Sequence, residues 1–199
     1  MGTWSADSQT SVATMGTADF RSNEKSVILD NDDTLKIQLV TASGETKVLK
    51  ESLPVLKGEI VDGTFMNASA LDEFLRNQIA LAKEEGVLFS VHLKATMMKV
   101  SDPIIFGHVV RAYFHELFAK YGTELNAAGL NGNNGLGAIL SGIDTLPAEI
   151  RDDVRAEIEK GLAEGPALAM VNSAKGITNL HVPSDVIVDA SMPAMIRTL

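Results

Sequence analysis

The fold is decided by the stretch Val87-Leu88-Phe89-Ser90-Val91-His92-Leu93 and by the segment that follows it, Pro103-Ile104-Ile105-Phe106-Gly107-His108-Val109-Val110. The first stretch is apolar nearly throughout, which predicts a strand at the centre of a sheet. The second predicts a helix from about Pro103 to Tyr121, because Ser101 precedes the proline as a start signal and Gly122 offers a stop. The buried face of this helix is marked by apolar residues at helical spacing, Phe106, Val110, Tyr113 and Leu117.

Two further helices are predicted on either side of this strand and helix. The earlier one has Ser69 as an N-cap with Asp72 three residues later, Gly86 as its stop, and a stripe formed by Leu71, Phe74, Leu75, Ile79 and Ala82. The later one opens at Pro147 and ends at Gly165-Pro166, and its apolar residues recur every fourth position, at Ile150, Val154, Ile158 and Leu162.

Short strands complete the predicted fold. Leu35, Ile37 and Leu39 alternate with polar residues and are followed by Ser43-Gly44 and then Thr46–Lys50, which predicts a half-buried strand in a β-hairpin. Further short strands are predicted at Gly58–Phe65, Ala167–Val171 and Val186–Val188, whereas the first thirty or so residues show no clear period. The fold class is therefore predicted as α/β, a mixed sheet with flanking helices and an antiparallel hairpin, with residues 1–199 as a single domain or subdomain.

The composition excludes several classes of protein. The chain has 199 residues, 45% of them hydrophobic, which suffices for a buried core. Its formal net charge of -9 argues against nucleic acid and anionic membranes as partners, since both attract basic patches. No apolar run reaches the roughly 20 residues of a membrane span, and the first residues do not form a signal peptide. The absence of cysteine removes disulfides, zinc thiolates and thiol nucleophiles, and a cytoplasmic location is expected.

A loop rich in glycine and asparagine, Asn131–Gly137, invites comparison with phosphate-binding loops. The dinucleotide fingerprint requires a preceding strand and a third glycine three residues after Gly137, but position 140 is leucine. Of the two interpretations, a phosphate site and a plain turn, the turn is favoured.

The histidines do not predict a metal site by themselves. His108 and His115 lie seven residues apart on one predicted helix, about 10 Å along its axis, which is too far to share an ion. We therefore expect each to be packed or on the surface. On a strand, His92 would share its face with Lys94.

Two pairs of charged residues are candidates for a site. Lys94 and Lys99 follow the predicted central strand, where α/β proteins bind ligands, although in an extended chain they point to opposite faces. Asp185 and Asp189 flank three β-branched residues, which favour a strand in which the carboxylates would be about 13 Å apart and unable to share a cation. The residues alone leave open which aspartate, if either, binds a metal, and surface carboxylates are the simpler interpretation.

Three motifs carry a resemblance to a known family. Residues 91–107 include His92-Leu93-Lys94-Ala95-Thr96, residues 169–197 include Val188-Asp189-Ala190-Ser191, and the chain opens with Gly2-Thr3-Trp4-Ser5-Ala6-Asp7-Ser8. In register, these motifs resemble an internal segment of the monomeric NADP-dependent isocitrate dehydrogenases. The resemblance spans nearly the whole chain and is looser near residues 20–85 and 120–165.

This resemblance implies both an activity and site residues. The family oxidises isocitrate with NADP and a divalent cation, magnesium or manganese, to 2-oxoglutarate and carbon dioxide. The resemblance implies that Lys94 is the catalytic lysine and that Asp189, rather than Asp185, is one of three metal-binding aspartates. A lysine of lowered pKa can take part in removing the hydroxyl proton, and the cation can stabilise the developing enolate. The two groups are expected to meet at one cleft.

The resemblance also implies that the site is incomplete. The chain is expected to be roughly one half of the family's second domain, a partial enzyme without the nucleotide-binding domain, so both the NADP and the metal sites would be unfinished. The isolated chain is therefore expected to fold but to turn over isocitrate negligibly, and to self-associate or to bind the missing remainder. The alternative function is that of a free-standing, non-catalytic α/β domain that binds a small anion or a partner protein.

Overall fold

The computed structural model describes Thr3 and residues 5–91 and 103–181. Residues 15–67 form one compact unit, and the described residues before Met15 and after Asn67 form another. None of the described helices is long and apolar enough to cross a membrane.

The first unit, residues 15–67, consists of two pairs of antiparallel strands and one short helix. Helix α1 (Phe20–Asn23) precedes β1 (Lys25–Ile28), which pairs with β4 (Ile60–Gly63). Between them, β2 (Asp33–Val40) and β3 (Thr46–Val55) form a hairpin. The predicted hairpin is thus confirmed, and the strand predicted at Gly58–Phe65 is present in shortened form.

The burial of the hairpin differs from the prediction. Ile37 and Leu39 are each 49% exposed, so neither face of β2 is covered as a half-buried strand requires. Val55 is the one core hydrophobic residue of residues 15–67, all of which the structure describes. Two-stranded sheets need packing against other elements to be stable in water, and this unit supplies little of it.

The first thirty residues, which show no clear period in the sequence, contain two short elements within residues 20–28. The side chain of Asp19 accepts a hydrogen bond from the N–H of Ser22 at 2.8 Å, and the hydroxyl of Ser22 accepts one from the N–H of Asp19 at 3.1 Å. This capping box starts α1, and β1 follows because its N–H and C=O groups pair with β4. Four-residue elements are too short to show a period in the sequence.

The second unit is helical. Its helices are α2 (Ala68–Glu85), α3 (Pro103–Tyr113), α4 (His115–Ala127), α5 (Gly135–Gly142) and α6 (Ala148–Glu164). Helix α2 packs against α3, α4 against α6, and α5 against α3. The side chains with no exposed surface are Val110, Leu125, Leu136, Ile139, Val154 and Leu180. Burying each stabilises the fold by about 1.5–3 kcal/mol.

Helix α2 ends as predicted and begins slightly earlier. The N–H of Val87 donates to the carbonyl of Ala82 at 3.0 Å, and that of Gly86, with φ of 67°, donates to Lys83 at 3.3 Å. This pair of bonds is the Schellman motif, which requires the left-handed conformation that glycine adopts without strain. Ser69 lies inside the helix, whose first residue is Ala68, so the predicted N-cap is two positions too late.

The single helix predicted from Pro103 to Tyr121 is two helices. Phe114, at φ −101° and ψ 43°, separates α3 from α4, and its ring is only 2% exposed. Gly122 does not end the second helix, which continues to Ala127 and is closed by Gly129 at φ 73°. The four residues predicted to share the buried face are all in the core, Phe106, Val110, Tyr113 and Leu117.

Helix α6 matches its prediction at both ends, with Pro147 before it and Gly165 after it. Val154 and Ile158 are buried, whereas Leu162, at the end of the predicted stripe, is 39% exposed.

The predicted central strand is the prediction that differs most from the structure. Within residues 87–91, only Phe89 makes a β-bridge, a parallel one to Leu168, and Leu88 is 67% exposed. Strands β5 (Met170–Asn172) and β6 (Ile177–Thr178) form a third antiparallel pair. In the described part of the chain, the fold is therefore mixed α and β with small two-stranded antiparallel sheets rather than one mixed sheet. The strand predicted at Val186–Val188, together with His92 and Leu93, lies outside the described residues.

Candidate functional site

The residues that the sequence assigns to the site lie outside the described part of the chain. Lys94 and Lys99 fall in residues 92–102, and Asp185 and Asp189 fall in residues 182–199. The expected meeting of Lys94 and Asp189 therefore stays a prediction. The structure does describe the residues that lead into both segments.

The residues that precede these two segments meet in one region of the second unit, which we call the junction and define as residues 87–91, 135–137 and 167–181. At its centre, the N–H of Phe89 donates to the carbonyl of Ala167 at 2.8 Å, and the N–H of Ala169 donates to the carbonyl of Phe89 at 3.0 Å. The ring of Phe89 lies 6.4 Å from that of Tyr113, which ties the junction to α3. Residues that are far apart in sequence are thus fixed side by side.

Asn179 links two stretches of the junction, residues 87–91 and residues 167–181. Its side-chain Oδ1 accepts a hydrogen bond from the N–H of Val91 at 2.5 Å, and its own N–H donates to the carbonyl of Ala169 at 2.8 Å. Val91 is the last described residue before the segment that contains Lys94. In the sequence, the only signal for Asn179 is its place inside the motif of residues 169–197.

His181 fixes the last described turn. The N–H of Thr178 donates to its Nδ1 at 3.0 Å, and the hydroxyl of the buried Thr178 lies 2.9 Å from the same nitrogen. Burial lowers the pKa of His181, and a neutral Nδ1 is what the backbone N–H requires as an acceptor. This histidine therefore holds the turn in its neutral form, with the proton on Nε2.

The start of α5 binds the same turn. The N–H of Leu136 donates to the carbonyl of Leu180 at 3.0 Å, and the N–H of Gly137 donates to that of His181 at 2.8 Å. A Cβ on Gly137 would lie 3.0 Å from the His181 carbonyl oxygen, so the glycine allows this close approach. The phosphate site weighed for Asn131–Gly137 is wrong, because these N–H groups already have partners. The favoured plain turn is also incomplete, since a 3-10 turn (Gly132–Asn134) and then α5 occupy this stretch.

The end of the first long motif has a packing role. A Cβ on Gly107 would lie 1.8 Å from Oδ1 of Asn133, an atom that accepts a hydrogen bond from Arg111 at 3.1 Å. Burial lowers the pKa of Arg111. Glycine at position 107 thus allows the turn before α5 to lie against α3.

The described histidines do not form a metal centre. Nδ1 of His108 lies 2.6 Å from Oδ1 of Asp72, whereas the side chain of His115 is 61% exposed and lies 3.6 Å from Glu116. In residues 5–91 and 103–181, no three histidine, aspartate or glutamate side chains converge on one point. The described residues therefore do not provide a metal site of three such ligands by themselves.

A surface groove of the described second unit does not contain any of the predicted site residues. It has a volume of about 290 Å³, with Tyr113, Phe114 and Leu117 at its floor and Arg76 and Lys160 among the residues that line it. The junction, rather than this groove, is therefore the described region closest in sequence to the predicted site.

Comparison with known proteins agrees with the resemblance of the motifs. The family described as monomeric isocitrate dehydrogenase matches residues 1–199. An isocitrate dehydrogenase (NADP) of Corynebacterium efficiens is 68% identical over 100% of this chain, and one of Corynebacterium glutamicum is 66% identical over the same share. One of Azotobacter vinelandii is 50% identical over 99% of the chain. This chain covers 27% of the length of each of these three relatives.

The relatives are thus all dehydrogenases by name, and all are far longer than this chain. Because the match runs from the first residue to the last, the chain belongs to the monomeric isocitrate dehydrogenase family.

Proposed function

We propose that this chain contributes Lys94 as a catalytic residue and Asp189 as a metal ligand to an NADP-dependent isocitrate dehydrogenase. The reaction is the oxidative decarboxylation of isocitrate to 2-oxoglutarate with magnesium or manganese. The observation that carries this proposal is the family match over residues 1–199, which includes the segments around both residues. The 66–68% identity to two relatives that bear this enzyme's name supports it.

The chemistry suits the two residue types. Oxidation of a 2-hydroxy acid removes a hydroxyl proton while hydride leaves the same carbon, and a partly desolvated lysine amine can accept or relay that proton. A bound divalent cation supplies charge stabilisation to the oxygens on which negative charge develops. Asp189 would provide one of the hard oxygen ligands that such a cation prefers.

The junction supports a shared site for the two residues. Val91 is bonded to Asn179 at 2.5 Å, so the two segments leave the described fold from adjacent points. The covalent chain limits Lys94 to about 11 Å from Val91 and Asp189 to about 29 Å from His181, measured between Cα atoms. These limits allow the lysine amine and the aspartate carboxylate to meet at one substrate.

The metal needs more ligands than the described residues provide. Since no three acidic or imidazole groups converge in residues 5–91 and 103–181, Asp189 would hold the cation together with groups outside the described part of the chain. NADP likewise finds no phosphate cradle at the start of α5. The complete site is therefore proposed for a longer polypeptide that includes this segment.

A chimeric enzyme tests the proposal. The matching segment of the Corynebacterium glutamicum relative is replaced by this chain, and NADPH formation is followed with isocitrate and Mn²⁺. The parent chimera is expected to be active, and Lys94→Ala is expected to lower kcat by about 10²–10⁴-fold, the range for loss of a proton-transfer group. Asp189→Asn is expected to raise the KM for Mn²⁺ as well as to lower kcat.

Matched controls make the result specific. Lys47→Ala and Asp152→Asn change the same residue types at exposed positions and are expected to leave the rate unchanged. A folded chimera in which Lys94→Ala retains the parent rate would overturn the proposed role of the lysine. A KM for Mn²⁺ that Asp189→Asn does not change would overturn the metal role.

The alternative function, binding of a partner protein, is favoured by one observation. In residues 15–67, exposed apolar side chains occur on all four strands, including Val27 at 55%, Ile28 at 65%, Val40 at 63% and Ile60 at 69%. Such a patch is typical of an interaction surface. If this is the function, the chain bearing Lys94→Ala and Asp189→Asn together should still complement a cell that lacks it, whereas the dehydrogenase proposal requires complementation to fail.

A further inference from the structure

The parallel β-ladder at Phe89 consists of a single bridge, to Leu168. In a parallel ladder that contains the bonds of Phe89 to Ala167 and Ala169, the next bond runs from the N–H of Val91 to the carbonyl of Ala169. That carbonyl instead accepts the N–H of Asn179 at 2.8 Å. The backbone of Asn179 thus occupies the acceptor that Val91 would have used.

The side chain of Asn179 provides another acceptor for the N–H of Val91. Its Oδ1 accepts the Val91 N–H at 2.5 Å, in a partly buried position where an unpaired N–H would be costly. The main-chain N–H of Asn179 therefore occupies the Ala169 carbonyl, and its side-chain oxygen replaces that carbonyl as the acceptor for Val91. This replacement acceptor, Oδ1 of Asn179, lies 88 residues from Val91 in sequence.

The rest of the junction fixes Asn179 in place. Its neighbour Thr178 is buried and bonded to Nδ1 of His181, and the carbonyls of Leu180 and His181 are held by α5. Since its flanking residues are immobilised, the position of Oδ1 is set by the fold rather than by the segment it binds. The position of the Val91 backbone then depends on this acceptor.

We propose that Asn179 is a positioning residue, which ends the ladder at Phe89 and holds Val91, the last described residue before Lys94, against residues 167–181. This inference rests on the proposed function, because it gives the position of Val91 its meaning. An alanine at 179 would leave the Val91 N–H unpaired, whereas an aspartate would keep an oxygen acceptor of the same shape.

The test uses the chain itself, which has no cysteine, so that spin labels attach only at introduced sites. Labels are placed at two exposed positions, Ser90→Cys next to Val91 and Asp152→Cys on α6, and their separation is measured by double electron–electron resonance. The parent is expected to give one narrow distance distribution. Asn179→Ala is expected to shift and widen it, and Asn179→Asp is expected to restore it.

A matched asparagine provides the control. Asn172 lies in the same segment and accepts a hydrogen bond from the N–H of Lys175 at 3.2 Å, but this bond is local. Asn172→Ala is expected to leave the distribution unchanged. Amide exchange at Val91 provides a second measurement, expected to quicken about tenfold in Asn179→Ala only.

The outcomes separate this inference from the proposed function. A distribution that is unchanged in Asn179→Ala, equally wide in the parent, or equally widened by Asn172→Ala overturns the positioning role. Loss of rate in the Lys94→Ala chimera depends on the proposed function alone. If that rate is retained while Asn179→Ala shifts the distribution, the function is wrong and the geometric role of Asn179 stands.

Discussion

Replacing the buried hydroxyl of Tyr113 tests the link between the helices and the junction. The hydroxyl donates a hydrogen bond to the carbonyl of Pro166 at 2.7 Å, and both residues are buried. Burial raises the pKa of Tyr113, so the hydroxyl stays protonated as a donor. Tyr113→Phe removes the donor but keeps the ring, whose centroid lies 4.9 Å from that of Phe114 and 6.4 Å from that of Phe89.

The expected loss of stability in Tyr113→Phe follows from the acceptor that stays unpaired. The Pro166 carbonyl stays buried without its donor, and such a loss lowers the free energy of unfolding by about 1–2 kcal/mol. A change of about 1.4 kcal/mol is tenfold in the equilibrium constant for unfolding. Urea unfolding followed by far-ultraviolet circular dichroism would show a lower midpoint at unchanged slope.

Tyr121→Phe is the matched control. Its hydroxyl donates to Oδ2 of Asp153 at 3.3 Å on the surface, where water replaces the lost bond, so no measurable change is expected. The reasoning is refuted if Tyr113→Phe unfolds at the same urea concentration as the parent. It is also refuted if Tyr121→Phe costs as much.

Three further predictions concern packing, pH and turnover. A Cβ on Gly161 would lie 2.8 Å from an aromatic ring carbon, so Gly161→Ala should lower the free energy of unfolding by about 1–3 kcal/mol. Gly122→Ala, in open space on a helix, should raise it by up to about 1 kcal/mol, and urea unfolding of both variants checks the pair. Because burial lowers the pKa of His181 from 6.5, the folded state binds fewer protons than the unfolded state. Stability should therefore be complete above about pH 6.5 and fall as the pH drops toward the lowered pKa. His181→Gln should remove this dependence in unfolding curves across that range, and the exposed His115→Gln should retain it. The isolated chain should reduce NADP with isocitrate and magnesium no faster than its Lys94→Ala variant, and a faster rate would contradict the incomplete site.

The elements with long, one-sided patterns could be predicted from the sequence. Helix α6 shows Val154 and Ile158 one turn apart, with Pro147 before them and Gly165 after them, and both ends agree with the structure. The hairpin of β2 and β3 follows from alternation and a turn signal. In these cases, local propensity and tertiary packing favour the same structure.

The errors occur where tertiary contacts override an unbroken local pattern. The break at Phe114 lies inside a continuous apolar stripe, because the buried ring packs against Tyr113 and Gly161. The apolar run from Val87 predicts a strand, but Asn179 takes the carbonyl that would have extended the ladder. A contact between residues 88 positions apart has no local signal in one sequence.

The candidate site likewise contains residues that the sequence predicts and residues that only the structure reveals. Lys94 and Asp189 were found through the motifs around them, since a lone lysine and a lone aspartate carry little information in themselves. The residues that arrange the junction, Asn179 and His181, act through hydrogen bonds to distant backbone groups. No spacing rule selects them, so they become visible only in three dimensions.

The interrupted ladder also affects whether a strand of another molecule can pair with this one. A strand that ends with free N–H and C=O groups is a template on which another chain can add. At Val91, the asparagine side chain covers the donor that an incoming strand would need. Asn179 thus removes one donor at which edge-to-edge pairing with a second molecule could begin, quite apart from any role in turnover.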